Sequence, residues 1–188
     1  MVLKEMLGEV PHICGEKIQL RALREEDALE LYKYYSKEKV YRYLDWHGPK
    51  DEEHAKEIIF SWKMGFSEGW ILRLAIATLE EDKLIGTIFL NNFEGKRAEV
   101  GYELSEEYWR RGIMSEALNL ILSIAFNRLN LVRVQAFASP ENHPSRSLLL
   151  KSGFTEEGYL KQYECHYITG ECKDMYIYGL IKEENHCD

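Results

Sequence analysis

Apolar and polar residues alternate along several stretches of the chain, and a period of two predicts β-strands. The first such run covers residues 18–22, and three longer runs cover residues 70–78, 84–93 and 97–104. Short polar segments rich in charged residues and glycine separate the last three runs, as expected for turns. We therefore predict an antiparallel meander in the first half of the chain.

Four other segments repeat their apolar residues every three to four positions, which predicts helices with one buried face. These segments cover residues 28–36, about 50–65, 113–125 and 145–152. On the third, the apolar residues that share a face are Met114, Ala117, Leu118, Ile121, Leu122 and Ala125. Gly65 and Gly153 are predicted helix ends, because glycine is favoured just beyond the last helical turn.

Strand-like runs return at residues 131–138, 154–167 and 175–180. The first of them follows the long helix, and a strand–helix–strand crossover predicts that it lies parallel to the strand before that helix. The predicted fold class is mixed α/β, with a mostly antiparallel sheet of about seven strands, one parallel pair and about four helices. A chain of 188 residues suits one domain with a sizeable core.

Charge and cysteine usage narrow the function further. The net charge of −8 argues against nucleic acid as a partner, because nucleic-acid affinity depends on neutralising phosphates. It suits a cationic acceptor such as an amine. No apolar run is long enough for a membrane span, and the first residues lack a signal-peptide layout, so we expect a cytoplasmic protein. We expect free thiols, and no metal site at Cys165, His166 and Cys172, since a fourth ligand at zinc spacing is missing.

The stretch from Tyr108 to Ala117 joins a predicted strand to the long helix and contains Arg110, Arg111 and Gly112. The first N–H groups of a helix lack partners within it, and the helix dipole adds positive charge there, so such a junction can bind a phosphate. The alternative is a loop whose arginines are solvated and whose glycine only turns the chain. The sequence matches neither the Walker A loop nor the dinucleotide-binding glycine pattern.

The segment Trp109-Arg110-Arg111-Gly112-Ile113-Met114 resembles the acyl-CoA loop of the GNAT acetyltransferases, whose pattern is R/Q-x-x-G-x-G/A. It departs from that pattern at Trp109 and Met114. The residue sequence of this segment is most similar to that of the branch that acetylates the N-termini of ribosomal proteins. Two further segments resemble that branch. They are Asn142-His143-Pro144-Ser145 followed by Lys151-Ser152-Gly153-Phe154, and Glu157 to Glu164 followed by Gly170 and Asp174.

The resemblance spans residues 15–181 and implies a single GNAT domain over residues 1–188, with its parallel strand pair at the acetyl-CoA site. It implies transfer of an acetyl group from acetyl-CoA to a primary amine by direct attack, with no metal. The branch often forms dimers, so a homodimer is expected. The residues expected to bind acetyl-CoA are Leu104, Arg110, Arg111, Gly112, Ile113, Met114, Ser115, Asn142 and Lys151.

The same resemblance supplies candidates for proton transfer. Glu164 matches the branch's general base, acting through water, although a single Glu on a strand is more commonly a solvent-facing carboxylate. Glu99 and Glu103 are rivals, because many GNAT enzymes take their base from this strand. Ser145 matches the acid that protonates the thiolate, and the alternative is that it caps a helix. Trp46 is a candidate for the wall of the acceptor pocket, with core packing as its alternative.

The acceptor follows from the ease of deprotonation. An α-amine has a pKa of about 8 and a lysine side chain about 10.4, so a single base at neutral pH suits the α-amine better. This favours a peptide N-terminus, as the branch resemblance does. Two alternatives stay open: an acetyltransferase for a small amine such as a polyamine or an antibiotic, and a non-catalytic CoA-binding sensor.

Overall fold

A computed structural model describes residues 3–166 and 169–182 of the chain. Its strands are β1 (Ile13–Cys14), β2 (Ile18–Arg21), β3 (Ile71–Thr78), β4 (Leu84–Glu94), β5 (Arg97–Leu104), β6 (Arg133–Ala138), β7 (Thr155–Cys165) and β8 (Cys172–Ile181). Its α-helices are α1 (Leu3–Leu7), α2 (Ala28–Tyr35), α3 (Glu38–Tyr41), α4 (Glu52–Glu68), α5 (Ile113–Ser123) and α6 (His143–Lys151). A π-helical turn, Ile124–Arg128, extends α5, and 3-10 turns lie at Glu25–Asp27 and Glu106–Tyr108.

The strands form one sheet in the order β1-β2-β3-β4-β5-β6-β8-β7. Within the described residues every neighbouring pair is antiparallel except β5 and β6, which are parallel as the crossover through α5 predicted. The mixed α/β prediction is confirmed. The sheet has eight strands rather than about seven because β1, a two-residue strand too short to show a period, pairs with β2.

Helices cover both faces of the sheet, and β3 shows how the sequence arranges this. Leu72, Leu74 and Ile76 alternate into the larger core cluster, which also contains the apolar face of α5. Ala75 points into a second cluster with residues of α2 and α4. Because both faces are covered, β3 is apolar at nearly every position rather than alternating strictly.

Helix ends show where local signals were sufficient and where they were not. Asp51 caps α4, and its carboxylate accepts a hydrogen bond from the backbone N–H of His54 at 2.7 Å. The prediction that Gly65 ends this helix was wrong, since α4 continues to Glu68 and ends at Gly69, which has a φ of 87°. A Cβ on Gly65 would lie 2.5 Å from side-chain atoms of Trp70 and Ile71, so this glycine serves close packing.

The expectation of free thiols was wrong for Cys165 and Cys172, which form a disulfide across β7 and β8. The two residues face each other in the strand register, a relationship that their spacing along the chain did not reveal. Cys14 is a free, exposed thiol, and Cys187 lies outside the described residues, as do the predicted polar tail and the end of the strand predicted at 154–167.

The described residues lack both a candidate metal site and a candidate membrane span. They contain no group of three or more His, Cys, Asp and Glu side chains able to hold a metal ion. None of their helices combines the length and the apolar character needed to cross a membrane.

Candidate active site

The parallel strands β5 and β6 separate after a short contact. Their described register contains only three pairs, from Arg97 opposite Arg133 to Glu99 opposite Gln135. Beyond this point β5 continues to Leu104 beside β4, and β6 continues to Ala138 beside β8. We call the opening between the diverging strands the seam gap. Backbone groups on its two sides are not paired with each other in the described register.

The predicted phosphate loop leads from the end of β5 into α5. Arg110 and Gly112 have left-handed backbone conformations, with φ of 60° and 76°. Gly112 is the N-cap of α5, no side chain caps the helix, and its first backbone hydrogen bond runs from Glu116 N–H to Gly112 C=O at 3.1 Å. The donors that precede Glu116 are the unpartnered first-turn N–H groups that bind anions at helix starts. This donor set fits the diphosphate of a CoA derivative.

The residues predicted to bind the cofactor at this end lie together. Arg110 and Arg111 are exposed, Met114 and Ser115 are half-buried in the first turn of α5, and Ile113 is buried in the core. The Ile113 side chain therefore anchors the helix start, and only its backbone N–H is available to a ligand.

Sequence reasoning missed Lys17 at this loop. The ammonium of Lys17 donates to the Arg111 carbonyl at 3.3 Å and would lie 3.2 Å from a Cβ on Gly112. The backbone N–H of Lys17 donates to the Glu116 carboxylate at 3.0 Å, which fixes the two segments together. A third cation thus flanks the phosphate loop. It comes from the start of β2, 94 residues away in sequence, so no local motif could have indicated it.

Trp109 and Leu104 are joined by a hydrogen bond. The indole Nε1–H of Trp109 donates to the carbonyl oxygen of Leu104 at 2.8 Å. Leu104 was predicted to bind the pantetheine arm through its backbone, and the indole now occupies one lone pair of that carbonyl. The departure from the loop pattern at Trp109 has a structural role, since it fastens the phosphate loop to the end of β5.

The start of α6 differs from one of the predicted alternatives. Asn142 is the N-cap, and its Oδ1 accepts from the backbone N–H of Ser145 at 3.2 Å. Ser145 is therefore not the cap, and its hydroxyl instead lies 2.8 Å from the hydroxyl of Tyr102 on β5. Lys151 is exposed in the last turn. Leu149 is fully buried.

Three carboxylates, those of Asp45, Glu99 and Glu164, lie close enough to act on one another electrostatically. Burial, reinforced by the negative charges of Asp45 and Glu99, raises the pKa of Glu164 from its ordinary 4.5 to about 7, and Lys173 opposes this. Burial also raises the pKa of Glu99, reinforced by Asp45, against a hydrogen bond from Asn92 and the charge of Arg97. Glu99 is the last residue of β5 that pairs with β6. This carboxylate cluster therefore lies where β5 and β6 begin to diverge.

Glu103 does not join this cluster. Its side chain is buried and accepts from Arg73 at 3.0 Å and from the Thr87 hydroxyl. The Arg73 guanidinium is itself stacked between Trp62 and Phe89, 4.0 Å from each ring centroid. Glu103 thus neutralises a buried arginine, a role that the period-two pattern could not distinguish from catalysis.

Trp46 packs at the border of the second core cluster. It is half-buried and packs against Tyr35, at 4.9 Å between ring centroids, and against Trp62 at 6.4 Å. Its neighbour His47 contacts His166 at 4.6 Å, where the β7–β8 hairpin turns. Tyr34 and Tyr35 are buried.

Comparison with known proteins identifies the class and the family. Residues 17–155 match the acetyltransferase (GNAT) domain. The uncharacterized N-acetyltransferase p20 of Bacillus licheniformis is 36% identical over 171 residues, which cover 90% of this chain and 95% of that protein. The ribosomal-protein-serine acetyltransferase of Escherichia coli (strain K12) is 29% identical, over 89% of this chain and 94% of that protein.

A solved structure that shares the fold contains coenzyme A. A ribosomal L7/L12 alpha-N-protein acetyltransferase in complex with coenzyme A has a TM-score of 0.80 and 25% identity, covering 91% of this chain and 98% of that one. The protein is an acetyltransferase. More particularly, the chain belongs to the GNAT family, whose members use acetyl-CoA as acetyl donor.

Proposed function

We propose that this enzyme acetylates the N-terminal α-amine of a protein, with Glu164 as general base and Ser145 as general acid. The observation that carries the proposal is the arrangement across the seam gap. Glu99 and Tyr102 alternate to opposite faces of β5, so the carboxylate cluster lies on one face of the sheet and the Tyr102–Ser145 pair on the other. An amine can then approach the acyl carbon from one side while sulfur leaves on the other.

The proton transfers follow from this arrangement. When bound, acetyl-CoA supplies the thioester whose carbonyl carbon the amine attacks. Glu164 takes the proton of the attacking amine at its carboxylate, through water, and a pKa of about 7 suits a base at neutral pH. Ser145 lies at the start of α6, where its hydroxyl can donate to the leaving sulfur.

The remaining predicted contacts hold the donor. The backbone N–H groups of Ile113, Met114 and Ser115, with the side chains of Arg110 and Arg111, would bind the diphosphate. Asn142 uses its Oδ1 as the helix cap, which leaves its amide NH₂ for the pantetheine arm. We propose that Lys151, in the last turn of α6, contributes positive charge toward the outer phosphates of the donor.

The acceptor class rests on the base and on the relatives. A base with a pKa near 7 is matched to an α-amine, whose pKa is about 8, better than to a lysine side chain at about 10.4. The Escherichia coli relative is named for a ribosomal protein serine, and we carry that acceptor class to this chain. Ribosomal acceptors would place the enzyme in the cytoplasm, and the branch resemblance leads us to expect a homodimer.

One observation favours a second candidate. Three carboxylates, Asp45, Glu99 and Glu164, act on one another electrostatically, opposed by the charges of Lys173 and Arg97. A polyamine, with several positive charges, would be the small-amine acceptor that suits this cluster.

The test begins with binding and ends with turnover. Acetyl-CoA at about 100 times its dissociation constant should stabilise the fold by about 2.7 kcal/mol and so raise Tm. ATP and NAD are the controls and should leave Tm unchanged. CoA release is then measured with peptides that begin with Ala or Ser, with the same peptides blocked at the α-amine, and with spermidine. We expect release with the free peptides only. Release with spermidine alone would replace the proposed acceptor by the second candidate.

A further inference from the structure

Tyr102 and Ser145 connect the two sides of the seam gap. Tyr102 lies on β5 beyond its last pair with β6, and Ser145 lies in the first turn of α6, which follows β6. Their hydroxyl oxygens are 2.8 Å apart. The backbone of Ser145 is held separately by the Asn142 cap, so the hydroxyl pair is a second and independent link.

The direction of this hydrogen bond decides what Ser145 can do. A hydroxyl has one hydrogen to donate and two lone pairs that accept. If Ser145 donated to Tyr102, its hydrogen would be used within the protein. Burial raises the pKa of Tyr102, so the phenol keeps its proton throughout the working range and can act as the donor. Ser145 then accepts from Tyr102 and keeps its own hydrogen for a ligand.

We propose that Tyr102 is a positioning residue that donates to Ser145 Oγ and thereby directs the Ser145 hydrogen toward the sulfur of coenzyme A. This inference rests on the proposed function of Ser145. As the carbon–sulfur bond breaks, its electron pair stays on sulfur. The Ser145 hydroxyl donates a hydrogen bond to that sulfur and stabilises the thiolate, and when the sulfur takes up a proton the half-exposed serine relays it from solvent, so that the serine itself stays protonated. Tyr102 keeps its proton and stabilises the serine oxygen.

A hydrogen bond from Ser145 to the sulfur can be detected when coenzyme A binds, without any turnover. A free thiol has a pKa of about 8.5, and a donor aimed at sulfur favours the thiolate. At pH 8, coenzyme A should therefore release protons as it binds, which titration calorimetry detects as a heat that depends on the buffer. Desulfo-coenzyme A lacks the sulfur and should release none. We expect the sulfur to tighten binding about tenfold, a typical effect of a hydrogen bond to a charged group.

Three variants test the role of Tyr102: Tyr102→Phe, Ser145→Ala and the double variant. Each single variant should remove the proton release and the tenfold preference for the sulfur, while affinity for desulfo-coenzyme A stays within twofold. The double variant should lose no more than either single variant, because both changes remove the same interaction. Tyr159→Phe is the matched control, since the Tyr159 hydroxyl bonds to Asp174 on β8, and it should behave as wild type.

Other outcomes overturn the proposal. Unchanged proton release in Tyr102→Phe would mean that Ser145 is oriented without the tyrosine. Equal weakening of coenzyme A and desulfo-coenzyme A would mean that Tyr102 only shapes the pocket, and additive losses would mean that the two residues act separately. Absence of proton release in the wild type would also refute it. A protein with the full binding signature that acetylates no peptide would refute the proposed acceptor and leave the role of Tyr102 standing.

Discussion

The indole of Trp109 donates a hydrogen bond to the carbonyl oxygen of Leu104 at 2.8 Å. Leu104 is the last residue of β5, and Trp109 precedes the two arginines of the phosphate loop. The 3-10 turn Glu106–Tyr108 lies between them. The bond therefore closes a short loop whose ends are a sheet strand and the start of the anion-binding segment, and it fixes one relative to the other.

Removing this bond should weaken acetyl-CoA binding without unfolding the enzyme. Trp109→Phe keeps an aromatic ring but loses the donor, and one hydrogen bond contributes about 1 kcal/mol. We expect the dissociation constant of acetyl-CoA to rise roughly fivefold in a calorimetric titration. Trp70→Phe is the control, because its indole bonds to Glu68 on the protein surface. Unchanged affinity in Trp109→Phe would show that the loop holds its conformation without the indole.

Lys17 should contribute charge to the same loop. Lys17→Gln removes a cation beside Gly112 and Arg111, and we expect several-fold weaker binding of acetyl-CoA and a smaller dependence of affinity on salt. Lys56→Gln, an exposed change on α4, should alter neither. A Lys17 variant with wild-type affinity and wild-type salt dependence would contradict this.

The pH dependence of activity should follow Glu164. Because its pKa is about 7, the carboxylate is largely protonated at pH 6, so kcat/KM should rise between pH 6 and 8. Glu164→Gln should lower kcat at least 100-fold and abolish the rise, while Glu53→Gln on the outer face of α4 serves as control. A Gln variant that keeps both the rate and the pH profile would exclude Glu164 as the base.

Ionisation of Glu164, which should raise activity as pH rises, should at the same time lower the stability of the folded protein. The folded state holds this proton more tightly than the unfolded state does, so the contribution of Glu164 to stability is greatest below pH 4.5 and is lost as pH rises through about 7. Glu164→Gln removes that loss. The Tm of the variant relative to wild type should therefore be higher at pH 8 than at pH 5, as measured by scanning calorimetry.

Glu103 should matter for stability rather than for chemistry. Glu103→Gln leaves the buried guanidinium of Arg73 without its counter-ion, which should cost about 3 kcal/mol or more. We expect a clearly lower Tm but a kcat within about twofold of wild type for the folded fraction. The exposed pair of Glu94 with Arg97 gives the control, since Glu94→Gln should change little. Loss of turnover with unchanged Tm would make Glu103 the base.

The disulfide should stabilise the end of the β7–β8 hairpin. Cys165 and Cys172 close a loop with a sequence separation of 7, and such a closure contributes about 2–3 kcal/mol. Reductant should lower the Tm by roughly 5–10 °C. Cys165→Ser should melt at that lower temperature with or without reductant, and Cys14→Ser should respond as wild type does. A Tm that is insensitive to reductant would contradict the prediction.

The sequence predicted the elements whose signals are local. The parallel crossover through α5 and the meander before it each depend on a pattern within a few turns of chain. Gly65 showed the limit of such signals, since a glycine required for contact with Trp70 has the same local pattern as a helix stop.

The site was less predictable because its contacts cross the sheet. Lys17 reaches the phosphate loop from β2, and Tyr102 reaches Ser145 from a strand 43 residues earlier. Glu99 and Glu103 share a strand face, yet one lies at the seam and the other beside Arg73, a difference set by the neighbours of β5 rather than by β5 itself.

Because β5 and β6 separate after three pairs, each has unpaired backbone groups in the middle of the sheet, as a strand at a sheet edge does. Most proteins keep exposed strand edges short or covered, because an unpaired edge recruits foreign strands. We predict that the bound donor covers this edge, so that supply of the cosubstrate affects the solubility of the protein as well as its rate. Cells depleted of coenzyme A should accumulate more of this protein in the insoluble fraction. Tyr102→Phe, which removes the hydroxyl contact between β5 and Ser145, should increase that fraction further.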